Sequence, residues 1–341
     1  MRTGGESSTS GSRAHEGRRR GHAGGVKRAP LPPELGTVFP VQDAAAVGIR
    51  RSRLRANDLR APFRGVRAAA GHPSLEAADV RDLRARERFI VARAEALATV
   101  LTETQFFTHV TAAVVWGIPL PPRLVLSSHR LDVGVFAPCR HPRREGVRGH
   151  EVAPGSAVVV PHPVTGLPVT SPASTWAMLA SVLPDVDDLV VAGDRVVREP
   201  LFRGDPRAMA SLDDLRGSVD VGRRVGIRQL REALPLVRTR SASPGETRCR
   251  LDLVRGGLPE PALNHVIRGV DGRQIAVADL AYPAERVAVE YEGEHHLREP
   301  AQWNRDILRQ EALVALGWTV IRVTKAQLGP PMVERVRAAL S

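Results

Sequence analysis

Two short strand-like runs, residues 275–281 and 286–292, carry acids where a buried strand should carry none. Asp279 sits in the first, and Glu290 and Glu292 sit in the second. A carboxylate taken into apolar surroundings without a partner is costly, so a strand that holds one is expected to hold its counter-ion as well. A hard divalent cation such as Mg²⁺ takes oxygen ligands, commonly one or two carboxylates completed by water and phosphate. The turn signal Pro283-Ala284-Glu285 separates the runs and folds them into a hairpin. In that hairpin Asp279 falls opposite Glu290. The two-residue period of a strand puts Glu290 and Glu292 on one face and Val287, Val289 and Tyr291 on the other. Like charges so gathered repel unless a cation lies between them. The competing reading is a strand edge whose acids are merely solvated.

The flanking segments extend the pattern. Ser243, Pro244 and Glu246 open a helix that runs to about Val254 and stops at Gly256-Gly257. Residues 264–269 read as a strand, followed by the hairpin signal Asp271-Gly272. After the acidic hairpin, residues 302–316 read as a helix closed by Gly317, and 318–323 as a last strand. The order is helix, three antiparallel strands, helix, strand. On the second helix Asp306 and Arg309 are three apart and share a face.

This order, with Glu246, Asp279, Glu290-Tyr291-Glu292-Gly293, His296, Asp306, Arg309, Gly317-Trp318 and Arg322 in place, resembles the very-short-patch-repair-like endonuclease domain. That domain belongs to the PD-(D/E)XK nuclease superfamily and is common at the C-terminus of actinobacterial proteins. The likeness covers about the last hundred residues. Upstream, a looser likeness reaches the winged-helix region of abortive-infection antitoxins. The resemblance implies a restriction-endonuclease-like fold, with a mixed central sheet flanked by helices. It also implies that Asp279 and Glu290 are metal ligands, with Glu246 an auxiliary acid. Glu292 becomes a further ligand or its support, and His296 acts on the water or the phosphate.

The chain departs from the superfamily at one place. Its usual lysine would stand two residues after the second acid, where Glu292 stands, and the only lysines are Lys27 and Lys325. The repair-endonuclease branch works without that lysine and uses a nearby histidine, so His295 or, better matched, His296 is the substitute. Histidine titrates near neutrality and suits proton transfer or phosphate polarisation. Arg309 and Arg322 either contact phosphate or pair with Asp306 and Glu292.

At 341 residues the chain has room for two or three domains. It has no run of eighteen apolar residues and no apolar signal core at its start, so a cytoplasmic location without a membrane span is expected. Cys139 and Cys249 supply neither a disulfide framework nor a zinc set. The formal charge of +12 is unevenly spread. Residues 244–341 carry 13 basic and 13 acidic side chains, whereas residues 48–67 carry Arg50, Arg51, Arg53, Arg55, Arg60, Arg64 and Arg67 against Asp58 alone. Such a block supplies sequence-independent, salt-sensitive affinity for DNA. It reads as a short helix over 40–47, a turn at Gly48, a second helix over 51–59 and a wing strand near Phe63. A helix-turn-helix puts its second helix in the major groove, which makes Arg51, Ser52 and Arg55, with Arg64 on the wing, candidate DNA contacts.

The expected organisation is therefore α/β (α+β). A disordered basic tail covers 1–35, a winged-helix-like segment 36–72, and an α+β antitoxin-like middle domain 73–200. A linker and helix cover 201–240, and the endonuclease-like domain 241–341. His109, His129, His141, His150 and His162 show no metal-ligand spacing. The leading functional expectation is a DNA endonuclease dependent on Mg²⁺ (or Mn²⁺). The second is a DNA-binding regulator or antitoxin carrying an inert nuclease fold. RNA, or branched or mismatched DNA, would suit the same metal chemistry, and self-association as a homodimer is left open.

Overall fold

The computed structural model describes residues 30–75, 81–222, 224–293 and 300–341. The architecture is mixed α+β with three separate sheets. The first unit opens with a 3-10 turn at Pro33–Leu35, so Leu35, expected in a disordered tail, is buried. Strand β1 (Val38–Pro40), helix α1 (Val41–Ala46), a 3-10 turn at Arg53–Arg55, β2 (Leu59–Arg60) and β3 (Val66–Ala69) follow. Strand β3 lies between β1 and β2, antiparallel to both. Pro40 ends the first strand and sits at the helix N-cap. Gly48 then turns the chain at φ +79°, a conformation that favours glycine.

The expected second helix over 51–59 is not formed, and with it the helix-turn-helix geometry is lost. Leu54 and Leu59 are five residues apart, about 140° around a helix, so one helix cannot bury both on one face. A 3-10 turn followed by a strand does bury both, with Phe39 and Ala44. Arg53 closes the detour with a two-point pair to Asp58, at 3.0 and 2.8 Å.

The middle of the chain contains α2 (Leu83–Ala98), β4 (Gln105–Phe107), α3 (His109–Trp116), α4 (Pro122–Leu126), β5 (Leu131–Phe136), β6 (Val147–Val152), β7 (Val159–Pro161) and β8 (Pro168–Thr170). The five strands form one sheet in the order β6-β5-β4-β8-β7. Phe107, Val133 and Val169 pack beneath α2 and α3. Four helices follow: α5 (Pro172–Leu179), α6 (Val186–Val197), α7 (Leu212–Asp220) and α8 (Ile227–Ala233). They enclose a second core of Trp176, Leu189, Leu215 and Leu230. Residues 201–240 are thus not a linker in large part, because α7 and α8 complete the core begun by α5 and α6. The signal was a run of polar residues in which Leu215 and Leu230 are fully buried.

The C-terminal unit comprises α9 (Pro244–Arg255), β9 (Ala262–Arg268), β10 (Gln274–Tyr282), β11 (Val287–Glu292), α10 (Pro300–Ala315), β12 (Thr319–Thr324) and α11 (Pro330–Leu340). Its sheet runs β12-β11-β10-β9, with β12 parallel to β11 and the other neighbours antiparallel. Leu280, Val287, Val289 and Ile321 pack with Cys249 and Leu253 of α9 and with Met332 and Val336 of α11. Ile267, Ala276, Ala288 and Leu313 of α10 form the core on the opposite face. The helix–strand order and the hairpin read from the sequence are both present.

Three arginine–aspartate pairs tie α9 to α6: Arg248 to Asp188, Arg250 to Asp194 and Arg255 to Asp187. The middle pair is almost completely buried. Asp194 also accepts the Arg238 amide at 2.7 Å and the Thr247 hydroxyl at 2.8 Å, and Arg250 donates to the Leu236 carbonyl at 2.8 Å. Such a buried pair holds only when its remaining polar sites are also satisfied.

Candidate active site

The acids meet where the central strands part. The β10–β11 ladder runs Tyr282↔Val287, Ala281↔Ala288, Leu280↔Val289, a register in which Asp279 comes next opposite Glu290, as the hairpin reading requires. There the backbone pairing ends. The Asp279 side chain takes over and accepts the Tyr291 amide at 2.8 Å.

On the other side of β10, Asp279 falls between the Ala278↔His265 and Leu280↔Leu263 pairs, across from Asn264. Asn264 has φ +45°, a left-handed conformation that asparagine tolerates better than most residues. Strand parity breaks at the same level. Ala276 and Ala278 pack in the cluster on the α10 side, whereas Leu280 packs in the α9 and α11 cluster. Asp279 therefore occupies a bend, open to groups from both layers.

Glu246 approaches from α9. Ser243 caps that helix by accepting the Glu246 amide at 3.2 Å, and Pro244 occupies its first turn. Gly245 lies so close to Tyr291 that an added Cβ would stand 2.2 Å from the ring. One Glu246 oxygen accepts the Ala242 amide at 2.8 Å and the Asn264 side-chain amide at 2.9 Å. Asn264 also donates to the Arg240 carbonyl at 2.8 Å. Burial holds the Glu246 carboxyl above its usual range against these bonds.

Asp279 shows the largest carboxylate effect that fits a chemical role. Burial first, then the neighbouring Glu246 charge, push it up to about 7; Glu290 adds to the rise, while the Tyr291 amide and Arg309 oppose it. Burial, Asp252, Asp279 and Glu246 together push the Cys249 thiol up to about 12, a second sign of concentrated negative charge.

Glu290 and Glu292 project to the α10 side, the face opposite Val287, Val289 and the inward edge of Tyr291. Both meet arginine. Arg309 of α10 pairs with Glu290. Arg322 of β12, level with Glu290 across the parallel pairing, stands 3.6 Å from Glu292 and donates to Gln310 at 3.0 Å. Both candidate DNA contacts in this domain are thus engaged by the sheet, while keeping more than a third of their side-chain surface exposed. His295 and His296 lie outside the described residues, as does the Asp306 side chain. Among the described residues no three His, Cys, Asp or Glu side chains converge on one point suited to a metal ion.

The donor chemistry still fits Mg²⁺ or Mn²⁺, because such ions need only one or two protein carboxylates. Asp279 is a hard-oxygen donor, and Glu290 follows it in register.

In the N-terminal unit Arg51, Ser52, Arg55 and Arg64 are exposed, the first three around the 3-10 turn rather than on a recognition helix. Arg53 and Arg67 are committed internally, Arg67 to the Leu54 carbonyl at 2.8 Å. Of the middle-domain histidines, His109 stacks on His150, which bonds Asp132 at 2.8 Å. Sequence reasoning missed Asn264, although an asparagine inside the strand Ala262–Arg268, where that residue type is disfavoured, was its signal. It missed the Asp194–Arg250 pair because nothing local links residues so far apart.

No family model matches the chain, and no solved structure matches it. Two curated proteins of Mycobacterium tuberculosis are similar to part of it, uncharacterized protein MT2308 of strain CDC 1551 / Oshkosh and uncharacterized protein Rv2248 of strain ATCC 25618 / H37Rv. Each is 36% identical over 130 residues, a match covering 35% of this chain and 48% of the relative. The chain thus spans about half the length of the curated relatives it matches.

Proposed function

We propose that this chain is a metal-dependent, DNA endonuclease-like protein whose C-terminal unit, of restriction-endonuclease-like fold, hydrolyses phosphodiester bonds. The observation that carries the reading is Asp279. It is a carboxyl at a strand bend, raised to about 7 by burial and by Glu246, that accepts the Tyr291 amide. A buried carboxyl raised by its neighbours in this way supports a chemical role for Asp279.

Asp279 and Glu290 would hold Mg²⁺ or Mn²⁺. Such an ion, when bound, supplies Lewis-acid polarisation of a phosphoryl oxygen and a more acidic water. Asn264 fixes Glu246, and the Tyr291 amide fixes the Asp279 carboxylate. Arg309 and Arg322 steady Glu290 and Glu292 and keep enough exposed surface to meet a phosphate. His296 is the residue proposed to move the proton.

A second reading has its own support. Arg309 on Glu290 and Arg322 on Glu292 already neutralise two of the acids, as expected of a DNA-binding regulator or antitoxin with an inert nuclease fold. Supercoiled plasmid incubated with Mg²⁺ or Mn²⁺ separates the two. Nicking by the wild type that disappears in Asp279→Ala supports hydrolysis. DNA retention without nicking by folded protein leaves the regulator.

A further inference from the structure

The loop joining β5 to β6 builds a basic cleft that the endonuclease reading does not use. It is a surface hollow of about 540 Å³ whose lining includes Arg130, Arg143, Arg144 and Arg148 with Glu145 as the sole acid. Asp132 is buried and already bonded to His150 at 2.8 Å, with Arg148 at 3.6 Å. Among the described residues Arg130 and Arg143 make no side-chain hydrogen bond or ion pair, and both are exposed.

The cleft is braced against the N-terminal unit. Arg144 donates to the Arg64 carbonyl at 3.0 Å, in the turn between β2 and β3. Behind it, Arg93 lies over the rings of Phe63 and Phe89 and donates to the His129 carbonyl at 3.0 Å. Gly146 lets the loop close on this arginine, since an added Cβ would stand 2.7 Å from the Arg93 guanidinium. Clustered like charges without counter-charges raise the energy of a fold, and their counterpart is a polyanion. Guanidinium groups match phosphate oxygens in two-point geometry.

We propose that this cleft, formed by Arg130, Arg143, Arg144 and Arg148 and continued by Arg64, binds the phosphate backbone of duplex DNA. It acts in place of the recognition helix expected over 51–59, where a 3-10 turn and a strand stand instead. This rests on the DNA-binding part of the reading above and not on hydrolysis. Several cations along one open hollow suit a repeating anion better than a single small one.

The test is fluorescence-anisotropy binding of a 30-base-pair duplex across a salt series by the full chain, its Arg130→Ala/Arg143→Ala variant and an Arg51→Ala/Arg55→Ala variant. Neither cleft substitution removes an internal bond, and melting curves verify the fold. The expected result is an affinity weakened by about tenfold or more, with the logarithmic salt slope reduced by about 2 for two lost phosphate contacts. An unchanged slope in the cleft variant, with binding lost only in Arg51→Ala/Arg55→Ala, overturns the cleft assignment and leaves DNA binding intact. Absence of wild-type duplex binding overturns both. Preference for single-stranded RNA of equal length overturns the duplex assignment.

Discussion

Asp279 replaces a rung of its own sheet: its carboxylate, rather than a backbone carbonyl, accepts the Tyr291 amide at 2.8 Å where β10 and β11 part. The bond orients the acid. Glu246 from the helix above and Glu290 from the next strand then bring like charge to the same spot. Stability and proton affinity are coupled at this residue.

The first prediction concerns pH. Asp279 ordinarily titrates at 3.8 and is raised to about 7 in the fold. The folded chain therefore holds a proton that the unfolded chain releases between those values. The stabilisation is complete below about 4 and is lost as pH climbs through 7. Glu246 and Asp194 are raised too and act in the same direction, so the informative quantity is a difference. Thermal melting of the wild type should fall from pH 5 to pH 8 by a few degrees more than melting of Asp279→Asn. Parallel curves would remove Asp279 as the titrating group.

Divalent ions should reverse that trend. A ligand that binds only the fold stabilises by about 2.7 kcal/mol at a hundred times its Kd. At pH 8, where Asp279 is ionised, Mg²⁺ or Mn²⁺ in the millimolar range should raise the wild-type Tm by several degrees, and the gain should vanish in Asp279→Ala and shrink in Glu290→Gln. Equal Tm gains in all three proteins would place the ion elsewhere.

The sequence made the C-terminal site legible because its signals are local. Asp279, Glu290 and Glu292 break apolar alternation within a few residues, and the turn at Pro283 sets their register. Ser243 and Pro244 announce the helix that carries Glu246. The N-terminal unit was misread because seven arginines in a row of twenty residues mimic a basic helix, whereas Leu54 and Leu59 demand a turn and a strand. Asp194 and Arg250 were invisible for another reason: their pairing depends on how α6 crosses α9, and no spacing encodes that crossing.

Removing one member of that crossing should be expensive. Arg250→Ala leaves Asp194 buried beside a cavity, with the Thr247 hydroxyl and the Arg238 amide as its remaining donors. Breaking a buried pair from one side costs about 3–5 kcal/mol. Arg228→Ala, which breaks an exposed pair with Glu232 one turn along α8, should cost no more than about 0.5 kcal/mol. Urea denaturation midpoints for the two variants check the contrast; similar small shifts would mean that α6 and α9 are held by apolar packing alone.

Gly245 provides the sharpest test of the site's geometry. A methyl group there would stand 2.2 Å from Cε1 of Tyr291, closer than any carbon pair can settle, so the helix start or the ring must move. Overpacking of this kind costs about 1–3 kcal/mol, and because Glu246 is the next residue the displacement reaches its bond with Asn264. Gly245→Ala should therefore lower the Tm and also weaken the divalent-ion shift. Tyr291→Ala alone opens space and should lower the Tm by losing packing against the core between the sheet, α9 and α11. In the double variant the methyl group fits where the ring was, so the combined loss should be smaller than the sum by about 1 kcal/mol or more. Strict additivity would show that α9 starts clear of the ring and that glycine at 245 serves only to open the helix.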